Sequence, residues 1–284
     1  MRPEISQAAD LIRRGEIEKA LGLLQGTVFS FSMKVCGHRE DAEDTAQDVL
    51  LKSIRHLQKI EEPKALAVWL YKVTRNRCWM SRRRSKFAPQ QTLSIDELMP
   101  DSEELESMTA EREKTPEKQL VAKQEAKRLH EAVLRIPPQY RLILVLHDME
   151  ELDTAEVAQI TGLREGTVRV RLHRARLFVR RELARPSHTK RKAKKQSRNG
   201  KPVECKRLFA GLSEYIDNRV DDLTCERIQK HLADCPPCVA FVNDLSRAVE
   251  RCRSFSVRCD SRTAASLQKL LAQEVTRLTQ PRSA

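Results

Sequence analysis

From Arg39 to Ile60 the apolar residues Ala42, Ala46, Val49, Leu50, Ile54, Leu57 and Ile60 fall three or four apart, with one extra neighbour. On a helix they gather into one stripe that must be buried. The same spacing recurs through most of the chain, and no segment alternates apolar and polar residues as a half-buried strand does. The expected fold class is therefore all-α. Residues 5–24 and 27–37 read as two short helices, the second closed by Gly37 as a C-terminal cap. Pro63 interrupts, and another helix runs from about Lys64 to Arg84, completing a first helical domain over 1–88.

Composition divides the rest. Residues 89–122 hold Pro89, Pro100 and Pro116 among Ser, Thr, Asp and Glu, too polar for a core, and read as an acidic linker. Helical spacing resumes over 123–186, pausing at Pro137-Pro138. Residues 187–202 form a Lys/Arg-rich linker without an acidic residue, and a last helical unit covers 203–284.

The formal charge of the 284 residues is +13, and its location matters more than its size. Between Arg164 and Lys201 there are 15 basic residues and 2 acidic ones, so this stretch alone accounts for the excess. A polyanion partner follows, with nucleic acid favoured over a membrane because no apolar face accompanies Thr189 to Lys201. No apolar run approaches the ~18–20 residues of a membrane span. The opening Met1-Arg-Pro-Glu-Ile-Ser lacks the apolar segment of a secretory signal, so a cytoplasmic location is expected, where thiols stay reduced. The 8 cysteines then read as core residues, metal ligands or redox sensors rather than disulfides.

Thr154 to His173 has the spacing of a helix-turn-helix. With Thr154 as the first position, Ala158 is fifth, where the crossing helix demands a small residue. Gly162 is ninth, in a turn that needs left-handed backbone, and Val168 is fifteenth, in the interhelix core. Thr154 is the expected N-cap of the first helix, and Glu165 or Thr167 begins the second. That second helix presents Arg169, Arg171, His173, Arg174 and Arg176, a basic face suited to phosphates and guanine edges.

The run Ile136-Pro-Pro-Gln-Tyr-Arg-Leu-Ile-Leu-Val-Leu146, followed by this motif and by Gly166-Thr-Val-Arg-Val-Arg-Leu-His-Arg-Ala-Arg176, resembles region 4 of extracytoplasmic-function sigma factors. Arg39-Glu-Asp-Ala-Glu-Asp-Thr-Ala-Gln-Asp48 resembles the region 2 helix that docks on RNA polymerase, and Ala67-Val-Trp-Leu-Tyr-Lys-Val-Thr-Arg-Asn76 resembles the promoter-opening segment. The resemblance covers roughly 20–185 and implies promoter DNA and core RNA polymerase as partners, with no covalent chemistry of the chain's own. It implies −35 contacts from Arg164, Thr167, Arg169, Arg171, His173, Arg174 and Arg176. Polymerase contacts fall to Asp41, Asp44, Gln47 and Asp48, and −10 contacts to Asn76, Arg77, Arg82, Arg83 and Arg84. The residue types suit these roles. Asp41, Asp44 and Asp48 make an acidic ridge that repels phosphate but meets a basic protein surface, whereas basic and aromatic residues around Asn76 suit a separated strand. Trp69 and Tyr71 cannot share one helix face, and Trp69 is read as core. Elements about 25 base pairs apart lie ~85 Å apart, which a 35-residue linker reaching ~110 Å can span.

In the last unit, His231 and Cys235 are four apart and Cys235-x-x-Cys238 is a turn in which two thiolates can hold one metal. The arrangement resembles the zinc-binding anti-sigma domain, which implies Cys205 as the fourth ligand of one zinc ion, with Cys225 as its rival. A Cys3His set is a closed site for structure or regulation, which leaves no open position for a hydrolase. Loss of zinc on oxidation would permit pairing among Cys235, Cys238 and Cys225, a redox switch. Cys36 and Cys78 are expected to be packed. Leu267, Leu270, Leu271, Val275 and Leu278 form an apolar stripe on a terminal helix, which must find a partner. In separate anti-sigma proteins a comparable helix packs between two sigma domains, so an intramolecular contact that brakes or tunes the sigma domains is expected. The rival reading is a one-component, zinc-dependent helix-turn-helix regulator.

Overall fold

The computed structural model describes residues 2–57, 59–60, 62–83, 98, 118–184 and 203–279. Their regular elements, in order, are helices α1 (Pro3–Arg13), α2 (Ile17–Cys36), α3 (Arg39–Leu57), α4 (Pro63–Arg83), α5 (Lys118–Arg135) and α6 (Pro138–Leu144), followed by a π-helical turn (Val145–Met149). Then come α7 (Thr154–Thr161), α8 (Glu165–Ala184), α9 (Val203–Ile216), α10 (Asp222–Asp234), α11 (Pro236–Arg253) and α12 (Ser261–Thr279). The all-α expectation holds, with no strand among the described residues.

These elements form two compact units. The first draws on 1–90, 145–165 and 255–284. In it α2 packs against α1, α3 and α4, while α7 packs on α4 and α12 on α2 and α3. The core is apolar, with Ile5, Leu21, Leu24, Phe31, Leu50 and Leu57 fully buried. Phe31 and Tyr71 meet edge to face at 5.0 Å.

The expected break between residues 24 and 27 is absent, and the chain turns at Gly15 instead, whose φ of 78° is left-handed. A β carbon is costly there, whereas Gly26 inside α2 costs only ~1 kcal/mol against Ala. Burial of Leu24, Gln25, Val28 and Phe29 offsets that cost. Gly37 closes α2 as expected, with φ 82° and its N–H donating to Met33 O at 2.9 Å.

The second unit draws on 91–144 and 166–254. Here the turn between α5 and α6 is held by the buried Arg141, whose guanidinium donates to the carbonyls of Leu134 and Ile136 that the end of α5 leaves open. Helices α9, α10 and α11 share a small core in which Phe209 and Phe241 stack edge to face at 4.7 Å beside Leu212, Ile228 and Leu245.

Candidate nucleic-acid interface and metal centre

The first helix of the motif, α7, starts from a reciprocal cap. Asp153 accepts from the Glu156 N–H at 2.8 Å, and Glu156 accepts from the Asp153 N–H at 2.8 Å. The N-cap is thus Asp153 rather than the expected Thr154, which is buried as the first helical residue. A carboxylate also complements the positive helix end better than a hydroxyl. Gly162 ends α7 with φ 71°, its N–H on Ala158 O at 2.8 Å, and α8 begins at Glu165. Val168 is fully buried. Gly162 in left-handed backbone and Val168 in the core therefore stand as their places in the motif require.

The seven residues expected to face the −35 element do not share one environment. Arg164 and Arg169 are exposed, Thr167, Arg171 and Arg174 are half-buried, and His173 and Arg176 are buried. Arg176 makes a two-pronged pair with Asp217, each contact 2.9 Å, and donates to Ser213 O at 3.0 Å. His173 Nδ1 lies 2.9 Å from Ser213 Oγ. Burial, followed by the charges of Arg176 and Arg174, lowers the His173 pKa to about 4. Arg180, which sequence reasoning left out, pairs with Asp244 at 3.1 Å and lies 4.4 Å over the Phe241 ring. Arg169 approaches Glu214 at 3.8 Å. The residues 169, 173, 176 and 180 are spaced 4, 3 and 4, so one stripe of α8 meets α9 and α11. That spacing was the available signal for Arg180.

In the first unit Asp44 is exposed and Asp41, Gln47 and Asp48 are half-buried on α3. Asp48 pairs with Arg77 at 2.7 Å and with Lys52 at 3.7 Å, joining one expected polymerase contact to one expected −10 contact. Asn76 is exposed, and its Oδ1 accepts from Arg75 at 2.7 Å. Arg75 also reaches across to Ile160 O of α7 at 2.5 Å. Arg82 and Arg83 end α4 with side chains outside the described part, and Arg84 lies outside the described residues. The expectation for Trp69 needs correcting: its ring is half-buried, 6.0 Å from that of His56, while Tyr71 occupies the core. The face of α4 turned to α2 carries position 71, and residue 69 is rotated away from it.

Sequence reasoning also missed a buried polar cluster. Glu150, which follows the π-helical turn, accepts from Lys34 at 2.7 Å, Tyr71 Oη at 2.8 Å and Arg2 Nε at 3.2 Å. Lys34 sits in the apolar stripe of α2, where only its partner explains it. Burial lowers the Lys34 pKa and raises that of Tyr71 well above the usual phenol.

The three candidate metal ligands that are close in sequence converge. The donor atoms of His231, Cys235 and Cys238 lie within 4.8 Å of one another, with His231 Nε2 to Cys238 Sγ at 3.3 Å. Tetrahedral zinc with bonds of about 2.0–2.3 Å needs donors roughly 3.5–4 Å apart, so the set fits. Cys235 both ends α10 and begins α11, and its carbonyl accepts from the Cys238 N–H at 3.0 Å. Cys205 lies on α9 with its side chain outside the described part, and among the described residues Cys225 does not join the group. Cys36 and Cys78 are buried, as expected.

Helix α12 buries Leu267 and Leu271 with Val275 beside them, while Leu270 is 36% exposed at the stripe's edge and Leu278 lies outside the described side chains. Polar contacts fix its start on the first unit. Gln25 donates to Ala264 O at 2.8 Å, Thr263 Oγ1 bonds Arg39 and Glu43 at 2.8 Å each, and Arg39 pairs with Asp260. No helix among the described residues is long and apolar enough to cross a membrane.

Three family models match the chain. "Sigma-70 region 2" matches residues 22–87, "Sigma-70, region 4" matches 126–179, and "Putative zinc-finger" matches 205–238. The last begins on Cys205 and ends on Cys238. The chain is similar to the ECF RNA polymerase sigma factor SigW of Bacillus subtilis, 24% identical over 156 residues, 55% of this chain and 82% of that one. It is 30% identical over 161 residues to the ECF RNA polymerase sigma factor SigE of Mycolicibacterium smegmatis, which covers 56% of this chain and 58% of that one. It is 26% identical over 149 residues to the RNA polymerase sigma factor SigV of Bacillus subtilis, covering 52% of this chain and 79% of that one. Two sigma-70 regions in this order define a promoter-recognition subunit of RNA polymerase. The chain carries sigma-70 regions 2 and 4 with a zinc-finger region beyond them, and the relatives it resembles are extracytoplasmic-function sigma factors.

Proposed function

We propose that the chain, acting in the cytoplasm and performing no covalent chemistry, carries core RNA polymerase to a promoter and helps open it. On this reading the acidic ridge Asp41, Asp44, Gln47 and Asp48 meets the polymerase, Asn76, Arg77 and Arg82 to Arg84 take the −10 strand, and α8 reads the −35 element. The division 1–88, 89–122, 123–186, 187–202 and 203–284 is supported by the three matched spans. One zinc ion would be held by Cys205, His231, Cys235 and Cys238. Its chemistry there is cross-linking, since four protein donors leave no position for a reacting water.

The C-terminal unit serves as a brake on the sigma regions. The observation that carries this is α12, laid along α2 and α3 with Asp260 and Thr263 tied to Arg39 and Glu43. Arg39 and Glu43 share α3 with the acidic ridge, so an occupant there crowds the approach of a polymerase helix. Promoter-specific transcription with core polymerase tests both parts, using full-length protein, residues 1–186 and Cys235→Ala/Cys238→Ala under reducing conditions. Transcripts from 1–186 in excess of those from the full chain are expected. No promoter-specific transcript from any form overturns the sigma reading, and equal transcription overturns the brake.

A further inference from the structure

Arg176 and Arg180 are among the largest fully buried side chains of the molecule. That is an unusual place for arginines on a helix assigned to DNA. A guanidinium leaves water only when an anion replaces the solvent, and the best replacement is a planar, two-oxygen acceptor. Asp217 supplies this to Arg176 through both oxygens, and Asp244 supplies one oxygen to Arg180. Ser213 occupies His173, and Glu214 stands near Arg169. A DNA backbone offers the same chemistry, anionic oxygens accepting from guanidinium donors.

We propose that the face of α9 and α11 bearing Ser213, Glu214, Asp217 and Asp244 is a DNA-backbone mimic, and that duplex DNA displaces it from the stripe Arg169, His173, Arg176 and Arg180. The inference rests on α8 being the −35 reader and adds the step that the brake acts on: the zinc-finger unit gates DNA as well as polymerase. Arg164 and Arg171 lie outside the stripe and stay available for a first, weak encounter with phosphate. Arg253 also pairs with Asp217, at 2.8 Å, so Asp217 keeps a cationic partner after α8 has left. The mask can therefore open without stranding a charge on its own side.

The test uses full-length protein carrying Asp217→Asn, Asp244→Asn or both, titrated against a short fluorescent B-form duplex of arbitrary sequence. The double variant is expected to bind roughly tenfold tighter or more, with a steeper salt dependence, because salt weakens the mask as well as the complex in the unaltered chain. Arg176→Ala in the double variant should remove most of the gain. Hydrogen exchange on the unaltered protein gives a second readout: α9 amides should lose protection when the duplex is added. Unchanged affinity in the double variant overturns the proposal, as does DNA binding that leaves α9 protection unaltered. If Asp217→Asn fails to fold, Asp244→Asn decides alone, since that side chain is 33% exposed and tolerates the change. Co-elution with core polymerase is measured on the same samples. Its failure counts against the sigma reading, whatever the duplex titration gives.

Discussion

Lys34 Nζ lies 2.7 Å from Glu150 Oε1, and neither side chain reaches solvent. The pair joins α2 to the segment leading into α7, in a site where each charge needs the other. Glu150→Ala removes the acceptor of three donors and leaves Lys34 charged in an apolar core, at a cost of about 3–5 kcal/mol. Lys34→Met should cost much less, because Glu150 keeps Tyr71 and Arg2. Urea unfolding of the two variants checks this order, and equal losses would contradict it.

Acid should loosen the contact between α8 and α9. The His173 pKa falls from 6.5 to about 4 in the folded chain, chiefly through burial. Between these values the unfolded chain binds a proton that the folded one refuses, so this contribution is complete above pH 6.5 and is lost as pH falls toward 4. Its upper bound is about 3 kcal/mol. His173→Gln should flatten the dependence of the urea midpoint between pH 7 and pH 5.

Zinc content should follow the converging ligands. Cys205→Ser, Cys235→Ser and Cys238→Ser are each expected to lower zinc bound per chain in elemental analysis, whereas Cys225→Ser should leave it at one ion. Retention of zinc by Cys205→Ser with loss in Cys225→Ser would exchange the two assignments.

The cap of α7 is a local and separable contribution. Asp153→Ala deletes one side of the reciprocal pair and should destabilise the fold by about 1 kcal/mol, visible as a lower melting temperature. Thr154→Ala, at the position the sequence pattern favours, should lose its hydroxyl without loss of the cap.

Periodicity showed that the chain is helical because burial on one face writes itself into spacing, but it misplaced the first break, which falls at Gly15. The turn at Gly162 was legible because left-handed backbone selects Gly. The convergence of His231, Cys235 and Cys238 was legible because they are close in sequence as well as in space. The fates of Arg176 and Arg180 were not, since a basic stripe looks the same whether its anion is a phosphate or an aspartate 41 or 64 residues away. Glu150 was hidden for a related reason. Its partners come from 79, 116 and 148 residues away, and nothing in local composition links them.

The π-helical turn at Val145–Met149 closes with the Glu150 N–H on Val145 O at 2.9 Å, a ring one residue wider than an α-turn. Each residue of helix carries the chain through about 100°. Winding the same residues as an ordinary α-helix would swing position 150 by roughly that angle, carrying its carboxylate away from Lys34. The direction from which Glu150 meets Lys34 is thus set by a helical phase offset, one extra residue wound into a single turn.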